Sequence, residues 1–445
     1  MISLNPRQAC LWLHRYTGLA MAAFLIITGI TGTLLAFHDE LDDVFNHKLV
    51  QVEKQNASHL PIAELHDKVI SAYPQYAFSS MPTSIAAERS AVFSVDRARG
   101  KAAQNQPKAP FQQVYVHPYT GDIIGTRDRD EWAWHNTMWK VFWLHRDLLL
   151  GDIGRLLLGI VALVWTINCF IGFYLTFPRA IKKKAQNKTS PKKRASFLKR
   201  WLPAWKIRTK SNMFKLNYDL HHAFGLWLWG ILFVIAWSSV GFNLREVYQL
   251  CMQLWGSKAE ATNKKNHVKK LGRLLMQTGV RGLALQKVRL VTRLVMSMLI
   301  DVVNKANSIA YLSEQAEIAA QQNGVSVQQL LGIRWVEEDN QWQMRFKTNR
   351  DIGKKKAALS SITVNARTGS IERVNFGYQS SSFGSKADQW LSTLHMGHIS
   401  QGIGHLLYQI FLALIGLAVT VLSITGVYLW WKGRQSRLKA LQKGR

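Results

Sequence analysis

Four apolar runs of about 20 residues or more interrupt an otherwise polar chain: Tyr16 to Phe37, Ile153 to Phe177, Ala223 to Phe242 and Leu406 to Trp431. Each is long enough to cross a bilayer as a helix. The first run is about twice the length of a secretory h-region, and no small-x-small cleavage site precedes His38-Asp39-Glu40, so the pattern predicts a retained anchor.

Between the runs the periodicity changes. The first long connection predicts a helix over Pro61 to Tyr73, a strand over Ala91 to Asp96, and a strand Val114-Tyr115-Val116-His117 entering the turn Pro118-Tyr119-Thr120-Gly121-Asp122. The other predicts a helix over Glu314 to Gln322, strands over Ile333 to Val336 and Trp342 to Phe346, then Ile362-Thr363-Val364 and the turn Asn365-Ala366-Arg367-Thr368-Gly369. Strand, Thr-Gly turn, strand is a hairpin signal in both, the glycine supplying positive φ.

The order helix, lobe, helix, loop, helix, lobe, helix is one unit used twice. His14, Gly18 and Thr31-Gly32 in the first run parallel His221, Gly225 and Val240-Gly241 in the third, with His-to-second-Gly intervals of 18 and 20. His145 to Gly172 and His395 to Gly426 span 27 and 31. The expected fold is therefore an α-helical four-helix transmembrane bundle with two α+β lobes and internal duplication. Its partition is an N-terminus (1–15), first span (16–38), first lobe (39–144), second span (145–178), loop (179–220), third span (221–243), second lobe (244–395) with a basic helical insert (257–313), fourth span (396–431) and tail (432–445).

Charge supplies orientation. The chain has 445 residues and a formal net charge of +30, and Arg179 to Lys215 holds fourteen Lys or Arg and almost no acid. By the positive-inside rule that loop is cytoplasmic, as are both termini, with Arg7 and Arg15 at one end and Lys432, Arg434, Arg437, Lys439, Lys443 and Arg445 at the other. Both lobes then lie across the membrane from the loop. The stretch Lys264 to Arg293 is also basic, but loops of this length cross largely regardless of charge. Basicity serves topology and solvation, with membrane lipid as the anionic partner; no base-reading motif accompanies it, so nucleic acid is not expected. Three cysteines, Cys10, Cys169 and Cys251, give no disulfide framework.

Fourteen histidines remain. His47, His59, His66, His117 and His267 fall in the lobes and read as surface residues. His14 and His221 stand at the start of the first and third spans, and His145 and His395 precede the second and fourth from the opposite side. Pairing by depth joins His14 with His221 and His145 with His395. Facing histidines with small residues nearby suit haem b, and two such sites, their irons on the order of 20 Å apart across a layer about 30 Å thick, would carry electrons across the membrane. His38, His222, His398 and His405 are alternative ligands. No C-x-x-C-H and no H-E-x-x-H occurs, so thioether-bound haem and a zinc protease are not expected. Trp132, Trp134, Trp139 and Trp143, with His135 among them, read as an interfacial belt, or as a floor where an iron complex docks.

The segments Leu11-Trp12-Leu13-His14-Arg15-Tyr16-Thr17-Gly18, Ile30-Thr31-Gly32, Tyr115-Val116-His117-Pro118-Tyr119-Thr120-Gly121-Asp122, Leu144-His145-Arg146-Asp147, Asp219-Leu220-His221 and Leu394-His395-Met396-Gly397 resemble the PepSY-associated transmembrane family over nearly the whole chain. That family includes siderophore reductases of the FoxB kind in the bacterial inner membrane, di-haem proteins with periplasmic PepSY-like lobes. The resemblance implies electron transfer to a periplasmic ferric siderophore, reduction of Fe(III) to Fe(II) and iron release, with His14, His145, His221 and His395 as haem ligands. The long basic insert departs from the family pattern. One-electron transfer requires no general acid or base. No G-x-G-x-x-G lies in a strand-helix setting, so a separate cytoplasmic donor, or a quinol, supplies the electron. Alternative readings are a quinol-linked cytochrome reducing a periplasmic protein and a haem-free scaffold or protease regulator. A transporter gains little support from spans without broken or charged midplane segments.

Overall fold

Hydrophobic periodicity places the helices, and local backbone chemistry decides where they stop. The computed structural model describes residues 5–96, 109–179, 195–254, 303–305, 307–351, 359–379, 383–397 and 403–443. Most of the basic insert, the centre of the basic loop, His267 and His398 lie outside the described residues. The chain divides into a helical unit (1–38, 138–251 and 394–445) and a second, sheet-containing unit (39–137 and 252–393).

In the helical unit, α1 (Pro6–Leu35) starts ten residues before the apolar run because Asn5 caps it, its side chain accepting from the Arg7 amide at 3.1 Å, with Pro6 at the first position. The chain continues through α2 (His38–Phe45), α3 (His47–Val50) and α4 (Ile62–Ala72), which lie in the second unit but for His38, to α5 (Thr137–Asp147) and α6 (Gly151–Thr176). Leu148 and Leu149 between α5 and α6 both have positive φ, 56° and 60°, and the Asp147 carboxylate accepts from the Leu149 amide at 3.1 Å. These leucines turn the chain, so the second span begins at Gly151 and His145 belongs to a separate helix.

After α6 comes α7 (Phe197–Trp201), held to the end of α6 by Phe173, Phe177 and Trp201, whose indole N–H donates to Thr176 Oγ1 at 3.1 Å. The third span is α8 (Met213–Trp227) and α9 (Trp229–Asn243), bent by 72° between them, followed by α10 (Arg245–Leu254). This break is a correction to the unbroken third span over 221–243. Further on come α11 (Ser308–Gln322), α12 (Phe383–Met396) and α13 (Ile403–Lys443). Gly397, with φ +79°, ends α12, so His395, like His145, precedes its span on a separate helix. Among the described residues α1, α6 and α13 are long and apolar enough to cross a membrane, and α8 with α9 makes a fourth if the bent pair is one span.

α1 packs along α13 and against α6, α6 against α9, and α13 against α8. The interior holds Met21, Leu25, Cys169, Leu232, Ile415 and Val419, while Ile30, Ile153, Ile160, Ile167, Leu407 and Leu414 face outward. An apolar exterior on helices whose backbone bonds are all internal is the arrangement lipid requires.

In the second unit, β1 (Ser80–Met81), β5 (Val327–Val336), β6 (Gln341–Thr348), β7 (Ser360–Asn365) and β8 (Ile371–Asn375) form one antiparallel sheet in that order. β2 (Ala91–Ser94), β3 (Gln113–Val116) and β4 (Ile123–Arg127) form another, also antiparallel. Period-two alternation buries Trp342, Met344 and Phe346 along β6. The two Thr-Gly hairpins match in detail: Gly121 and Gly369 have φ of +77° and +68°, and the ladder slips at Tyr115/Val116 in one and Thr363/Val364 in the other. The expected pair of separate lobes is corrected. Ser80 pairs with Arg334 and Met81 with Ile333, and Leu65, Phe93 and Val114 share one core with Leu312, Met344 and Ile362. Neither segment buries that apolar surface alone, so the two connections fold as one body.

Candidate functional site

Four histidines of the helical unit meet in two pairs. The rings of His14 on α1 and His221 on α8 lie 6.2 Å apart between centres, at 69° to each other. Those of His145 on α5 and His395 on α12 lie 6.4 Å apart at 74°. Thr31, which contacts His145, is 17 residues beyond His14 on α1. At 1.5 Å per residue the pairs are separated by about 26 Å along that helix. His14 and His221 lie inside their helices, not at their first residues, because Asn5 and Asn212 cap each helix upstream.

Every ring uses the same nitrogen. Nδ1 of His14 meets Asn168 Oδ1 at 3.1 Å, Nδ1 of His145 meets Thr31 Oγ1 at 3.0 Å, Nδ1 of His395 meets Ser238 Oγ at 2.7 Å, and Nδ1 of His221 meets the Leu422 carbonyl at 3.0 Å. The hydroxyls of Thr31 and Ser238 spend their hydrogens on the Ile27 and Ile235 carbonyls, at 2.7 and 3.0 Å. They can therefore only accept, and a carbonyl can only accept. The rings of His145, His221 and His395 thus carry the proton on Nδ1 and keep a lone pair on Nε2, the form in which imidazole binds a metal.

Small residues shape the surroundings. A Cβ at Gly172 would lie 3.1 Å from His14 Cε1, one at Gly32 3.1 Å from His145 Cε1, and one at Gly426 3.3 Å from His221 Cε1. Beside the first pair, a Cβ at Gly18 or Gly225 would meet no atom within 4 Å.

A haem b fits this donor set. His14 with His221, and His145 with His395, would each hold one metal atom through Nε2, which at roughly 2.0–2.1 Å per bond suits ring centres about 6 Å apart. Among the described residues no group of three or more His, Cys, Asp or Glu could hold a bare metal ion. A two-histidine set suits a metal that arrives with its other ligands, and the open space at Gly18 and Gly225 suits a flat macrocycle.

Of the alternative ligands among the described residues, His222 adjoins the first pair, while His38 and His405 stand apart from both. His38 packs edge-on against Trp139 at 5.4 Å, and His222 packs on Tyr218 at 4.1 Å, its ring 6.4 Å from that of His221. His405, on α13, has a buried Nδ1 without a hydrogen-bond partner among the described residues. In the second unit the surface reading of His66 is corrected: it is buried, bonds the Phe78 carbonyl through Nε2 and packs on Phe93. Trp132 and Trp134 are largely exposed, and Trp134 lies edge-on to Phe45 at 5.2 Å.

Nothing in the sequence pattern marks Asn168, Ser238 or Leu422, whereas Thr31 and Thr425 each stand one residue before a packing glycine, a signal the sequence does carry. A family model described as the PepSY-associated TM region matches residues 11–433. No curated protein matches the chain.

Proposed function

The chain belongs to the PepSY-associated transmembrane family, and from that membership and its two histidine pairs we propose that it is an inner-membrane di-haem b reductase of periplasmic ferric siderophores. The observation that carries the reading is the spacing of the pairs, 6.2 and 6.4 Å between ring centres, with each Nδ1 occupied by a neighbouring oxygen.

His14 with His221 would hold the haem nearer the cytoplasm, and His145 with His395 the one nearer the periplasm. Bound haem b supplies one-electron redox chemistry. The chain's own groups do the positioning. Asn168, Thr31, Ser238 and the Leu422 carbonyl orient the imidazoles, and Gly32, Gly172 and Gly426 let neighbouring helices close on them. The spacing of the pairs along α1, about 26 Å, approaches the roughly 30 Å of a hydrocarbon layer, so the two sites serve opposite faces. The ferric siderophore takes one electron per iron, Fe(III) becoming the more weakly chelated Fe(II), and no side chain has to move a proton. A separate cytoplasmic protein or quinol provides the electron. The basic loop over 179–215 supports, by the positive-inside rule, a cytoplasmic loop and termini with the sheet-containing unit, built from the connections between spans, in the periplasm.

The test is an optical spectrum of the purified chain, oxidised and dithionite-reduced, with haem quantified as the pyridine haemochrome. Two b-type haems per chain are expected. His14→Ala and His221→Ala should each abolish one and the same haem, and His145→Ala and His395→Ala the other. A colourless wild-type protein from haem-replete cells would sink the reading.

A further inference from the structure

Three of the four paired histidines meet a hydroxyl oxygen of a neighbouring helix through Nδ1, and His14 does not. Thr31 and Thr425 each precede a glycine packed on a histidine ring and each offer that ring a hydroxyl oxygen, at 3.0 and 3.2 Å, and Ser238 offers a hydroxyl oxygen to His395 at 2.7 Å. The residue before Gly172 is Ile171, whose side chain has no oxygen to offer. Asn168, one turn earlier on α6, fills the gap with its side-chain amide.

The direction of that amide follows from its neighbours. Thr17 Oγ1 gives its hydrogen to the Leu13 carbonyl at 2.6 Å and can only accept from Asn168. Asn168 Nδ2 donates to it at 2.7 Å. Oδ1 must then face His14, and His14 must donate from Nδ1. A chain of three bonds, anchored on the α1 backbone, thereby selects one tautomer of one imidazole.

Resting on the haem reading above, we propose that Asn168 is a positioning residue that fixes His14 in its Nδ1–H form and sets the reduction potential at the His14–His221 pair separately from the other pair. An acceptor on Nδ1–H makes the imidazole a stronger donor to iron, which favours the oxidised state. Removing the acceptor raises the potential, and giving it a negative charge lowers it.

The experiment is a potentiometric titration of the full chain in detergent, followed in the haem absorption bands, for wild type, Asn168→Leu and Asn168→Asp, with the two midpoints assigned from His145→Ala. Asn168→Leu should raise the first pair's midpoint and Asn168→Asp lower it. Each change should be tenfold or more in the reduction equilibrium constant, equivalent to 59 mV for one electron, with the second midpoint unmoved. Loss of that haem from Asn168→Leu with retention in Asn168→Asp would support the same role. Midpoints that stay put in both variants, or move in the same direction, would overturn the inference, as would loss of the haem from both folded variants. The wild-type spectrum is read first: without haem there, it is the functional reading that fails, and this inference with it.

Discussion

His66 shows how much one side chain's chemistry depends on its surroundings. It lies on the apolar face of α4, and burial, then the nearby Lys305 charge, push its pKa below the ordinary imidazole value of 6.5. A histidine held neutral in the fold stabilises it above the unfolded pKa, and that contribution is lost as pH falls through about 6.5. Thermal stability should therefore decline between pH 7 and 5, and His66→Gln should flatten the decline; an unchanged slope would remove His66 as its source. Arg127 is a second buried polar residue, 2% exposed, with both guanidinium ends on Asp42 at 2.8 Å and its Nε on Asn136 at 2.9 Å. Arg127→Met strands the Asp42 carboxylate and should cost about 3–5 kcal/mol, with part recovered in the double variant Arg127→Met/Asp42→Asn, by chemical denaturation. The paired histidines could be anticipated from sequence depth because a span's direction fixes which end of it each residue occupies. His66 could not, since a histidine on a short helix reads the same whether water or Phe93 lies beyond it.

Among the elements, α1 and α13 approach each other closely through glycines. A Cβ at Gly29 would lie 2.8 Å from the Gly416 carbonyl oxygen, and one at Gly416 2.6 Å from the Gly29 carbonyl oxygen, while Thr33 Oγ1 donates to Gly29 and Ala413 carbonyls at 2.9 and 3.2 Å. Small residues four apart on both helices let the backbones meet, as lipid-embedded helices require where no hydrophobic force draws them together. Gly29→Leu and Gly416→Leu should each destabilise this crossing by roughly 1–3 kcal/mol or more, read as a lower melting temperature and earlier loss of haem absorbance on heating. Leu19→Ala, elsewhere on α1, is the control. The four apolar runs were legible as helices. Their ends were not, because Asn5 capping, the left-handed Leu148 and Leu149, and the bend between Trp227 and Trp229 are decided by backbone geometry that hydropathy does not report.

At the scale of the whole chain, the N-terminal and C-terminal halves share two cores. Each half contributes spans to one helical unit and strands to one sheet-containing unit, so 1–178 and 195–445 produced as separate chains in one cell should co-purify and carry haem, and neither alone should yield a stable monomer. Recovery of either half as a folded, haem-bearing protein would contradict the shared cores. The proposed orientation makes a further expectation: with native cysteines replaced, Glu88→Cys should react with an impermeant thiol reagent from the periplasm, and Lys199→Cys only after the membrane is opened. The sequence by itself determined the number of apolar runs, the two Thr-Gly hairpins and the order of the histidines, because periodicity, turn chemistry and charge act over a few residues. Only the tertiary structure decided that Met81 pairs with Ile333 across the two halves, that the lobes are one body, and which nitrogen of each paired imidazole meets a neighbouring helix. Those outcomes depend on groups more than a hundred residues apart competing for the same buried space and the same hydrogen bonds, which no local pattern encodes.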